Sequence, residues 1–250
     1  PMRRSQFFHQ LGAASAALAL SSCRSMLPDA TRPMRTLSYA PKAGGRAQEL
    51  VVLLPGRFSQ PEEFERQGIV DLVHEKRPHA RVAAPDLHLG YYVDRIPHTC
   101  LHEEIVRPAR QRGERVTFIG VSMGGLGSLI YTLRYPRDLS EVLMLAPFVG
   151  EDDLFAEIEA AGGIEHWQPG EIVPRNKEEG IKKLWAEMKT QWHATGGPPV
   201  PMKIITGRDD RHLTSNRFFT RSFLQEHQLA EIDGGHDWTC WREGAAMLLA

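Results

Sequence analysis

Short apolar runs recur along this chain at spacings that leave room for a helix between neighbours. The runs at 49–54 (E-L-V-V-L-L), 115–121 (R-V-T-F-I-G-V), 141–145 (E-V-L-M-L) and 201–206 (P-M-K-I-I-T) are nearly continuous in hydrophobicity. Strands of that kind are covered on both faces, as in a parallel sheet. Weaker strand candidates stand at 36–40, 81–84 and 229–232. Between them, residues 61–76 read as one amphipathic helix with Phe64, Ile69, Leu72 and Val73 on its apolar side. Residues 101–112 read as a helix that Pro108 kinks or ends early. Residues 125–135 read as a packed helix. Strand–helix alternation predicts an α/β architecture, a mostly parallel central sheet with helices on both faces. The alternation breaks between Phe148 and Val200, too long for an ordinary connection. That stretch holds helical patterns at 152–161 and near 177–192 and carries Phe148, Phe155, Trp167, Trp185 and Trp192.

Chemistry enters at the end of the 115–121 run, where Gly120 to Gly124 spell G-V-S-M-G. Strand, G-x-S-x-G, helix is the context of a nucleophile elbow, a turn so tight that its neighbours two positions away must be glycine. Ser122 is then the candidate nucleophile. A serine hydroxyl is weak alone and requires a base and an orienting acid. Candidates follow in chain order at two further strand ends. G-R-D-D at 207–210 supplies Asp209 and Asp210, of which Asp210 is preferred, and D-G-G-H-D-W at 233–238 supplies His236. Ends of parallel strands are where open α/β sheets build sites. An oxyanion hole would use the backbone N–H of Met123, next to the nucleophile. It would add one from the P-G-R-F-S turn after the 49–54 strand, with Arg57 preferred to Phe58. The Arg57 side chain either faces the pocket as an anion partner or is simply solvated. Tyr91 and Tyr92, after a strand end, and Phe58 and Phe148 are candidate substrate-contacting residues.

Taken together, L-L-P-G-R at 53–57, A-P-D-L at 84–87, the elbow, L-A-P at 145–147, G-R-D-D and G-G-H-D-W resemble the α/β-hydrolase superfamily. The segment G-G-H-D-W-T-C-W at 234–241 is similar to the histidine segment of its esterase branch, which includes S-formylglutathione hydrolase and feruloyl esterase relatives. The wider pattern, with D-L-H-L-G-Y-Y at 86–92, looks like a group of bacterial hydrolases. One departure is Pro55-Gly56 where many relatives carry His-Gly. The resemblance implies an α/β-hydrolase fold and makes the 148–200 excursion a small helical cap, whose aromatic residues either line an acyl pocket or glue the cap to the body.

The N-terminus adds a second signal. Arg3 and Arg4 precede a mostly apolar, alanine-rich stretch and then L-S-S-C at 20–23. The apolar core is too short to cross about 30 Å of hydrocarbon, so it reads as a secretory signal. L-S-S-C matches a bacterial lipobox, with Cys23 as the lipidated residue that tethers the protein to a membrane; plain secretion is the alternative. The paired arginines also resemble a twin-arginine signal. The expected organisation is a signal peptide with lipobox at 1–23, a tether at 24–35 and a hydrolase domain at 36–250. The expected location is exported, periplasmic or membrane-anchored.

Composition narrows the picture. A chain of 250 residues suits one domain with a large core, and a formal net charge of −1 gives no electrostatic footprint for nucleic acid. If Cys23 is lipidated, Cys100 and Cys240 remain, as a disulfide or, more plainly, two separate buried thiols. No C-x-x-C or H-E-x-x-H pattern occurs, so neither a metal nor another cofactor is expected. The expected activity is cleavage of a small-molecule carboxylic ester by a Ser-His-Asp triad through an acyl-enzyme. Lysophospholipid hydrolysis, amide hydrolysis or acyl transfer on the same triad, and a non-catalytic envelope binding protein, are the alternatives.

Overall fold

The structure, a computed structural model, describes residues 28–250. The signal segment and Cys23 lie outside the described residues. Seven strands form one sheet in the order β1-β3-β2-β4-β5-β6-β7. They are β1 (Thr36–Tyr39), β2 (Glu49–Leu54), β3 (Ala80–Pro85), β4 (Arg115–Val121), β5 (Glu141–Leu145), β6 (Met202–Gly207) and β7 (Leu229–Ile232). β1 runs antiparallel to β3 at one edge, and the remaining pairs are parallel. Each apolar run feeds both faces. Leu50, Val52 and Leu54 join one core cluster, while Val51 and Leu53 join the other. That split explains why β2 is buried along its whole length.

The region read as one helix at 61–76 is two, α1 (Glu62–Arg66) and α2 (Ile69–Lys76). Gly68 between them takes φ +72°, a left-handed geometry that glycine enters freely and that ends α1. Next come α3 (Leu89–Val93) and α4 (Pro97–Cys100). The helix expected at 101–112 does not end at Pro108, but its form changes just before it. A π-helical turn at Leu101–Val106 runs into α5 (Arg107–Gln111). The wider turn lies directly before the proline, which has no N–H to give the preceding turn and crowds its carbonyls. α6 (Met123–Arg134) follows β4 and is buried over nearly its whole length.

The excursion between β5 and β6 contains α7 (Asp152–Ala160) and α8 (Lys177–Trp192). Its large rings are mortar. Trp167, Trp185 and Trp192 are all about fully buried. The Trp185 ring lies against Phe218, Phe219 and Phe223 of α9 (Leu213–Phe223), and its indole N–H donates to the Val149 carbonyl at 2.7 Å. The Trp167 indole N–H donates to Glu157 at 2.8 Å. The last helix, α10 (Trp238–Leu248), is capped by Asp237, whose carboxylate accepts from the Cys240 N–H. Cys100 and Cys240 are free and buried in the two different core clusters, so the sheet lies between them.

The described part of the expected tether is bound to the body. Arg32 pairs with Glu103 and Glu104, the Met34 N–H donates to Glu104, and the Thr31 carbonyl accepts from the Tyr91 hydroxyl at 2.8 Å. Among the described residues no helix is long and apolar enough to cross a membrane.

The N-terminal ends of the strands are stitched by charge. Arg77 donates to Glu49 of β2 and to Glu141 of β5, each at 2.8 Å, and the Thr117 hydroxyl of β4 donates to Glu49 at 2.6 Å. Three parallel strands are thus tied to one guanidinium at the end of the sheet opposite Ser122. Removing one partner leaves a carboxylate with little access to water. Arg77→Ala is therefore expected to cost about 2–3 kcal/mol, below a fully buried pair because the Arg77 side chain is still 20% exposed. Urea unfolding at neutral pH measures it, and a loss under about 0.5 kcal/mol would mean that solvent replaces the pair.

Candidate active site

Three loops at the C-terminal ends of β4, β6 and β7 converge. Ser122 links β4 to α6 with φ 50° and ψ −112°, a conformation that a residue with a side chain adopts only under constraint. The constraint is visible on all sides. The Ser122 N–H donates to the Leu145 carbonyl at 2.9 Å, and its carbonyl accepts from the N–H groups of Gly125 and Phe148, both at 2.9 Å. A Cβ on Gly120 would stand 2.6 Å from the Gly124 carbonyl oxygen, and one on Gly124 would stand 2.1 Å from that of Leu54. Both glycines are present because the backbone approaches leave no room for a methyl group.

The Ser122 Oγ is 3.0 Å from His236 Nε2, and His236 Nδ1 is 2.8 Å from Asp210 Oδ2. The Asp210 side chain is wholly shielded from solvent. Its second oxygen, Oδ1, accepts from the His212 N–H at 2.7 Å. Asp209, the competing aspartate, has an exposed side chain, and its N–H donates to the Gly234 carbonyl. The structure therefore brings Ser122, Asp210 and His236 together and leaves Asp209 outside.

The His236 ring stands between two others. Trp241 meets it edge to face at 4.9 Å and 89°, and His212 does so at 4.9 Å and 81°. His212 is a part of this site that the sequence reading missed. Its only signal was a second histidine two residues after the favoured acid. Burial first, and then the charge that His236 can carry, hold His212 well below the usual histidine range, at about 4. Arg211 Nε donates to His212 Nε2 at 3.4 Å, which requires a lone pair on that nitrogen.

The other expected residues divide. Met123 opens α6, so its N–H has no partner within the helix. The Gly56 to Ser59 turn, closed by the Ser59 N–H on the Gly56 carbonyl at 3.2 Å, faces the elbow, since a Cβ on Gly56 would lie 3.7 Å from that of Ser122. The Arg57 side chain is exposed and lies 5.0 Å over the ring of Phe58, itself 84% exposed. Phe148 stays beside the site, its ring 5.6 Å from that of His212. Tyr91 and Tyr92 serve other ends. Tyr91 is buried and bonded to Thr31, and the Tyr92 hydroxyl donates to the Met123 carbonyl at 3.0 Å, fixing the first turn of α6. Burial pushes the Tyr92 phenol up, so it remains a donor. Two surface clefts, of about 330 and 470 Å³, are lined by 196–201 with Phe223 and by Trp238 with Arg242, and neither includes Ser122, Asp210 or His236.

A sequence model of the family described as "Putative esterase" matches residues 101–246, more than half of the chain. Among solved structures, the chain is similar to FphF, a fluorophosphonate-binding serine hydrolase of Staphylococcus aureus. Identity is 16% and the TM-score 0.59, over 86% of this chain and 91% of that one. It is also similar to an S-formylglutathione hydrolase from Agrobacterium tumefaciens, at 17% identity and a TM-score of 0.58, over 86% and 87% of the two chains. A ferulic acid esterase aligns at 17% identity and a TM-score of 0.56, over 86% and 90%. A sequence search of curated proteins gives no match. The fold is that of the α/β-hydrolases.

The low affinity of His212 for protons has a consequence for stability. In the unfolded chain it takes up a proton near pH 6.5, whereas in the folded protein it refuses one until about 4. The unfolded state therefore binds more protons between those values, and stability falls as pH drops from about 6.5 to about 4. Below that window the contribution is constant. Denaturant titrations at pH 7 and pH 5 are expected to show a smaller loss in His212→Gln than in the wild type. Equal losses would mean that His212 is protonated freely in the fold.

Proposed function

Since the chain belongs to the "Putative esterase" family and is a carboxylic-ester hydrolase, we propose that it is a serine esterase that cleaves small-molecule esters through an acyl-enzyme on Ser122. The observation that carries this reading is the unbroken line from Ser122 Oγ through His236 to Asp210, at 3.0 and 2.8 Å. His236 Nε2 takes the hydroxyl proton as Ser122 Oγ attacks the acyl carbon. Asp210 holds Nδ1 as the donor towards itself and stabilises the imidazolium that forms. The oxyanion develops between the N–H groups of Met123, at the start of α6, and of Arg57, in the turn beside the elbow. His236 then returns the proton to the departing alkoxide, and the alcohol leaves. In the second half, His236 deprotonates a water that attacks the ester carbonyl of the acyl-enzyme. Collapse frees the acid and restores the Ser122 hydroxyl.

On the side of substrate, Phe148 and Phe58 are the expected residues whose positions suit contact with it. Phe148 lies beside the triad, and Phe58 is on the rim with Arg57 over it. Burial of the excursion's tryptophans favours a small acyl group over one seated in a large aromatic pocket. We also propose export with a lipid tether at Cys23, on the strength of the L-S-S-C pattern after an apolar stretch.

Fluorophosphonate labelling followed by peptide mapping is expected to modify Ser122 and nothing in Ser122→Ala. An ester series should be hydrolysed on the order of 10⁵–10⁶-fold more slowly by that variant. Asp210→Asn is expected to lower kcat by about 10⁴-fold, while Asp209→Asn leaves it nearly unchanged. Labelling at another serine, or the reverse ranking of the two aspartates, would refute the assignment. For the tether, metabolic incorporation of an alkyne fatty acid in a bacterial host should be abolished by Cys23→Ser. Incorporation that survives this change would place the lipid elsewhere.

A further inference from the structure

His236 is enclosed in a way that the proposed reaction does not itself demand. Its ring is met by His212 on one side and Trp241 on another, and His212 is backed in turn by Phe148. The Phe148 N–H returns to the Ser122 carbonyl at 2.9 Å. The backbone of His212 holds the second oxygen of Asp210 at 2.7 Å. One residue therefore touches both partners of Ser122, the acid through its main chain and the base through its ring.

We propose that His212 is a positioning residue for the hydrolysis. Its N–H locks the Asp210 carboxylate, and its uncharged ring holds the His236 imidazole in line with Ser122 without opposing the charge His236 gains. The proposal rests on the Ser122–His236–Asp210 reading and adds a fourth residue to it. A bidentate hold on Asp210 removes its freedom to rotate away from Nδ1. An edge-to-face contact between rings fixes the imidazole plane at little cost in charge.

Neutrality is the part that matters most. The charged and titratable groups around the pair are Asp210, whose carboxylate faces both rings, and Arg211, which donates to His212 Nε2. Glu151 and Lys177 lie beyond Phe148, the ammonium of Lys177 4.8 Å over that ring and paired with Glu151. From α10, Asp237 is occupied with the Cys240 N–H, and burial keeps the Cys240 thiol protonated, pushed up to about 11. A positive charge at 212 would therefore act on His236 with only Asp210 to offset it, and would disfavour the imidazolium.

Three variants test this with pH profiles of kcat/KM, each checked for folding by thermal unfolding. His212→Phe keeps a neutral ring and the main-chain N–H, and should retain kcat/KM within about threefold of the wild type, with an unshifted acid limb. His212→Ala loses the ring and should lower kcat about tenfold with little change in KM. His212→Lys places a permanent charge beside His236 and should move the acid limb down by about one pH unit. Wild-type rates and an unshifted limb in both the alanine and lysine variants would overturn the proposal, as would a phenylalanine variant no better than alanine. Should lysine not fold, the contrast between phenylalanine and alanine decides it. Failure of the triad itself is seen separately, as wild-type protein that does not react with fluorophosphonate at Ser122.

Discussion

The strained backbone at Ser122 is the constraint around which the molecule is organised. A residue held at φ 50° costs on the order of 1–3 kcal/mol relative to an ordinary turn. It persists because everything adjoining it is fixed. Leu145 of β5 accepts from its N–H, Phe148 and Gly125 donate to its carbonyl, and Gly120 and Gly124 let β4, α6 and β2 approach to near contact. Relaxing the serine would require moving a helix that is buried along nearly its whole length. The nucleophile is rigid because the core is dense around it.

That density follows from the parallel sheet. Because β2, β4, β5 and β6 are covered on both faces, their ends are not free to drift, and the loops that follow them start from fixed points. Arg77 ties β2 and β5 at the opposite end and so fixes their stagger. The excursion after β5 strengthens the same arrangement. Its tryptophans lie against the phenylalanines of α9, the helix that begins two residues after the Asp210–Arg211 pair. The mass added above the sheet thus braces the loop that carries the acid.

Much of this was legible in the sequence. The continuous apolar runs gave the parallel strands, because burial on both faces erases alternation. The elbow and the two later strand ends gave Ser122, His236 and, between two aspartates, Asp210, since spacing after a strand end carries geometric information. Other features were not legible for stateable reasons. The split at Gly68 is easily missed, because a lone glycine inside a helical pattern lowers its stability without necessarily ending it. Yet on one unbroken helix Phe64 and Val73 would face apart, and it is the turn at Gly68 that brings both into the same core cluster. The π turn before Pro108 leaves a residue pattern that a simple α-helix also fits. Tyr91 and Tyr92 follow a strand end as candidate site residues would, yet one hydroxyl reaches back to Thr31 and the other to the Met123 carbonyl. Those partners are decided by tertiary packing, which local sequence does not encode.

His212 shows the same limit from the other side. In sequence it is one histidine among eleven, in a polar stretch that any surface turn could supply. Its role follows from the direction in which the chain leaves Asp210. The loop folds back, so that the N–H two residues on meets Oδ1, and the same fold-back brings its ring against His236. An aspartate shielded from water needs a donor for each oxygen, or it gives up the charge that makes it useful. His236 satisfies one oxygen and the main chain at 212 satisfies the other. Once that donor is the backbone of a residue whose side chain must lie beside His236, the side chain is limited to something that can be half-buried there and remain uncharged. A histidine whose proton affinity is held down by burial meets that condition while still accepting from Arg211 on its far nitrogen.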